Sequence, residues 1–65
     1  MIKRDKRNLG KKVRIHGHKD FDGRIGIVKG FRGDFAKGDP NVSVYVLSIH
    51  SIWPFNGSSL EVIKD

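Results

Sequence analysis

The chain has 65 residues, enough for one small domain and too few for two. It contains no cysteine, so neither disulfides nor thiolate–metal sites can brace it, and a core of Val, Ile, Leu and a few aromatics must suffice. The net charge is +6 and unevenly placed: residues 1–37 hold 12 of the 13 Lys/Arg against four acids, whereas residues 38–65 hold one Lys against three acids. That asymmetry points to an anionic partner, nucleic acid before an anionic protein or membrane surface.

In chain order, residues 1–8 are charged and aperiodic, and read as a flexible basic arm ahead of a domain spanning residues 9–65. Lys11 to His16 alternates, with Val13 and Ile15 on one face and Lys12, Arg14 and His16 on the other, as a half-buried strand does. Gly17 to Gly23 is turn-rich and ends in Asp22-Gly23, a strong turn dipeptide. Arg24 to Phe31 reads as a second strand, apolar on both faces, with glycines inside it that suggest bending or close backbone contact.

Arg32 to Pro40 reads as a polar loop. Asn41 to Leu47 is the cleanest strand, with Val42, Val44 and Val46 in alternation. A turn near Ser48–His50 leads to further β structure up to Phe55, where Pro54 marks an edge or a strand end. Asn56 to Ser59 is a turn, and Leu60 to Ile63 a last short strand. No window carries a 3.6-residue apolar period. Five short strands between Gly-rich turns predict an all-β fold, a small five-stranded, partly open SH3-like barrel.

Gly10-Lys11-Lys12-Val13-Arg14-Ile15, then Gly17, then Asp22-Gly23-Arg24-Ile25-Gly26-Ile27-Val28, resembles the KOW motif of ribosomal proteins and of NusG/Spt5-type transcription elongation factors. Gly23, Gly26 and Val28 match its Gly-x-x-Gly-x-Val, although the loop from Gly17 to Gly23 is about two residues longer than the family pattern. The resemblance covers residues 10–31. It implies an SH3-like barrel that contacts RNA, DNA, or a transcription or ribosomal partner. A free-standing basic module of this size also resembles a phage factor that modulates host transcription.

Phosphate contact is the physical route to function. Each Lys or Arg that neutralises a phosphate releases condensed counterions, and this dominates non-specific affinity. The candidate binding residues are Lys3, Arg4, Lys6 and Arg7 on the arm, Lys11, Lys12, Arg14 and His16 along the first strand, Lys19 in the following loop, and Arg24, Lys29 and Arg32 beyond it. The expected contact is with the backbone and independent of sequence. Duplex DNA is slightly favoured, because few aromatics for base stacking lie in the basic half and no recognition helix is visible. The alternatives are a protein-docking module, using the basic face or a groove of Tyr45, Trp53 and Phe55, and a ribosomal-RNA binder.

His16, His18 and His50 read as surface or phosphate-contacting histidines rather than metal ligands. Asp20-Phe21-Asp22-Gly23 lacks the further acids of a calcium loop and reads as a turn. Ser48, Ser51, Ser58 and Ser59 have no evident His–acid partners, and Gly23 to Gly30 lacks the Gly-Lys-Ser/Thr of a phosphate loop. Neither an enzyme nor a cofactor is expected. With no signal-peptide pattern and no apolar run near 20 residues, the expectation is a cytoplasmic monomer, in the host cytoplasm if phage-encoded, without a membrane partner.

Overall fold

A computed structural model describes residues 1–64. The strands are β1 (Lys12–Ile15), β2 (Ile25–Ala36), β3 (Asp39–Val46), β4 (Ser51–Asn56) and β5 (Leu60–Val62), with 3-10 turns at Lys6–Asn8 and Gly57–Ser59. They form one antiparallel sheet in the order β4-β3-β2-β1-β5. The first four strands meander, and β5 returns to the free side of β1. No ladder joins β4 to β5 among the described residues, so the sheet stays open between these two edges.

Alternation sorts the side chains into two faces. Val13, Ile15, Val28, Val42, Val44, Val46, Phe55 and Leu60 point to the concave face and are buried, and Ile2 joins them. Burial of each such side chain contributes roughly 1.5–3 kcal/mol. Phe21, Phe31 and Val62 pack against this core from its margins.

The Gly-x-x-Gly-x-Val run has a physical reason at each position. Gly23 sits at φ +82°, where a side chain is strained, and its N–H donates to the Ile15 carbonyl at 2.7 Å to close the β1–β2 loop. Gly26 lies across from Val46, and a β-carbon there would sit 2.8 Å from the Tyr45 carbonyl oxygen. Val28 is core.

The sheet departs from the sequence expectation at Arg32–Pro40. Instead of a loop, β2 and β3 go on pairing through irregular register as far as Ala36↔Asp39, and Lys37-Gly38 makes the turn. Residues 32–38 are exposed, so no apolar alternation marks this part as strand. Pro54 falls on β4, which pairs only with β3, so its missing N–H breaks no central ladder.

The N-terminal segment also differs from a free arm. Ile2 is 2% exposed, and its N–H donates to the Gly57 carbonyl at 2.9 Å. Asn8 Nδ2 donates to the Lys3 carbonyl, and Asp5 caps the Lys6–Asn8 turn by accepting from the Arg7 N–H. No described helix is long and apolar enough to cross a membrane.

Candidate nucleic-acid interface

All twelve cationic and histidine candidates are solvent-exposed. Lys12 and Arg14 point away from the core because their neighbours Val13 and Ile15 are buried on the other face. Lys12 heads a cross-strand row of Ile27, Tyr45 and Ile52. Arg14 lies between Ile25 and Glu61, without an ion pair to the latter.

Val28 accepts from the Gly10 N–H and donates to the Lys11 carbonyl, which holds Lys11 beside the part of β2 that carries Lys29. The Lys29 ammonium sits 5.9 Å from the centre of the Tyr45 ring, on the convex face. Lys12, Arg14 and Lys29 thus share the convex face, with Lys11 just ahead of β1.

The remaining candidates lie apart. Arg4 pairs with Asp34, and Arg7 with Asp5 at 2.8 Å. The Arg7 guanidinium lowers the Asp5 carboxyl from 3.8 to about 2. Lys3 and Lys6 have no carboxylate partner among the described residues, and neither has Arg32 on the β2–β3 hairpin. A surface concavity of about 270 Å³ lies between the N-terminal segment and this hairpin, lined in part by Met1, Lys3, Arg4 and Asp34.

His16, Lys19 and Arg24 belong to the β1–β2 loop. Asp22 Oδ1 accepts from the Gly17 N–H at 2.7 Å and holds the loop in shape. Asp20 N–H donates to His18 Nδ1 at 3.2 Å. Among the described residues no three His, Asp or Glu side chains gather as a metal site.

This loop also carries the aromatic contacts that sequence reasoning missed. His18 packs on Phe21 and on Phe55, each at 5.2 Å between ring centres. Phe21 packs edge-on against Phe55 at 5.7 Å and tilted against Trp53 at 5.3 Å. Phe55 is buried, whereas Trp53 is 46% exposed. The available signal was the shared parity of Trp53 and Phe55, which puts both on the concave face of an edge strand.

On the convex face, exposed Ile52 lies across from half-buried Tyr45, whose hydroxyl lies 3.2 Å from His50 Nδ1, and Leu47 and Ile49 are exposed in the turn between β3 and β4. At the start of β3, Asp39 accepts from the Ser58 N–H and hydroxyl, both at 2.9 Å, and from Asn56 Nδ2. These donors, Ser58 foremost, hold its carboxyl below the usual value.

No protein-family model, curated protein or solved structure matches the chain. The likeness of residues 10–31 to the KOW pattern therefore stands on the motif alone.

Proposed function

We propose that the protein is an SH3-like, KOW-type module that binds nucleic acid through its phosphates, as a monomer and without sequence readout. One observation carries this reading. Eleven of the 13 Lys/Arg have no carboxylate within ion-pair distance among the described residues, Arg4 and Arg7 being the two that do. Surface cations kept only for solubility are ordinarily interspersed with acids. Here Lys12, Arg14 and Lys29 share the convex face, with Lys11 just ahead of β1, and buried Val13 and Ile15 hold two of them outward.

The molecule is 28 Å along its longest axis, which limits contact to about eight base pairs at 3.4 Å each. Four phosphate contacts give a slope of about −3.6 in log K against log salt. Affinity for a short DNA duplex, followed by fluorescence anisotropy, should then fall about 150-fold between 50 and 200 mM salt. No binding at about 50 mM salt would sink the proposal.

A second reading is favoured by exposed Ile52, in the cross-strand row that Lys12 heads: docking of an acidic protein segment with apolar side chains. Chemical-shift changes confined to Tyr45 and Ile52 on adding a protein partner, with Lys12 and Arg14 silent to DNA, would support it instead.

A further inference from the structure

We infer that Trp53, propped by Phe21, is a stacking platform for an unpaired base, so that the preferred ligand is single-stranded. The inference presupposes the nucleic-acid function proposed above and changes its ligand. On sequence alone, the scarcity of aromatics among the cations favours duplex. The fold removes that reason, since the β1–β2 loop brings Phe21 against Trp53 of β4.

One flank of the indole is packed on Phe21, and Phe21 is in turn braced by His18 and Phe55. The ring is thus held while 46% of the residue meets solvent. A held ring loses little freedom when a base lands on it. The same loop supplies exposed Lys19 and Arg24, neither with a carboxylate partner among the described residues. Arg24 closes the loop just before β2, its carbonyl accepting from the Ile15 N–H at 2.9 Å. Cations for the backbone beside an aromatic face for the base are what single-strand binding requires. Exposed Asp20 and Asp22 are the opposing charges on this loop, Asp22 being engaged with the Gly17 N–H.

Trp53 is the sole tryptophan, so its fluorescence reports the site directly. The full chain is titrated at about 50 mM salt with an eight-nucleotide oligothymidylate and, separately, with a short DNA duplex. Expected are quenching by the single strand, loss of single-strand affinity by roughly 5- to 150-fold in Trp53→Ala, and near-normal affinity in Trp53→Phe. Duplex affinity should be the same in all three proteins. Phe21→Leu removes the prop while sparing the indole, and should weaken single-strand binding if Trp53→Ala does not fold. Single-strand binding by anisotropy without quenching, or with Trp53→Ala matching the wild type, overturns the stacking site and leaves the phosphate function standing. Absence of binding to either ligand overturns both.

Discussion

Replacing Gly26 with alanine is a sharp test of how the motif shapes the sheet. A β-carbon at this position would lie 2.8 Å from the Tyr45 carbonyl oxygen, and nearer still to Val44 Cγ1. The oxygen belongs to the neighbouring strand's backbone and can yield only if β3 moves. Overpacking of this kind costs about 1–3 kcal/mol. A domain of this length has about 3–10 kcal/mol of stability in all. At about 4–8 °C per kcal/mol, a 2 kcal/mol loss lowers Tm by about 8–16 °C. Gly30 is the internal control: it lies on the same strand, an added β-carbon meets nothing within 4 Å, and its φ is not positive. Gly30→Ala should change stability by no more than about 0.5–1 kcal/mol, in the stabilising direction if at all. Thermal and urea unfolding followed by circular dichroism read both variants. Equal stability of the two would refute the claim that close β2–β3 approach explains the second glycine of Gly-x-x-Gly-x-Val.

Ile2→Ala should cost about 2 kcal/mol or more, because Ile2 is a core residue, and an unchanged urea midpoint would show that the segment is a free arm. Asp39 and Asp5 both have folded pKa values below their unfolded ones, so what each contributes is complete above about pH 4. That contribution is lost as pH falls through the folded values, towards about 2 for Asp5. Stability should therefore decline from pH 4 downwards, and Asp39→Asn should flatten part of that decline. An acid-unfolding profile of Asp39→Asn parallel to the wild type would show that the Ser58 contacts matter little.

Much of the scaffold was legible because burial on one face leaves a period of two. Val42, Val44 and Val46 announce β3, and Val13 and Ile15 announce β1 together with the outward placement of Lys12 and Arg14. The first glycine of the motif signals a turn by its neighbours. What stayed hidden depends on contacts between distant parts of the chain. The outer hairpin of β2 and β3 is wet on both sides, so exposed residues such as Arg32 and Phe35 carry no alternation. Ile2 is a lone apolar residue among charges, and only the carbonyl of Gly57 reveals that it is anchored. Phe21 and Trp53 meet because the β1–β2 loop folds across the concave face towards the edge strand, a path that local pattern does not encode.

The most direct test of the phosphate-binding face is the salt slope of Lys12→Gln/Arg14→Gln, measured with a short DNA duplex beside the wild type. Both side chains are exposed, and Val13 and Ile15 remain to hold the strand, so the fold should persist. With two of four contacts removed, the slope should drop from about −3.6 to about −1.8. A wild-type slope in the double variant would contradict the assignment of this face.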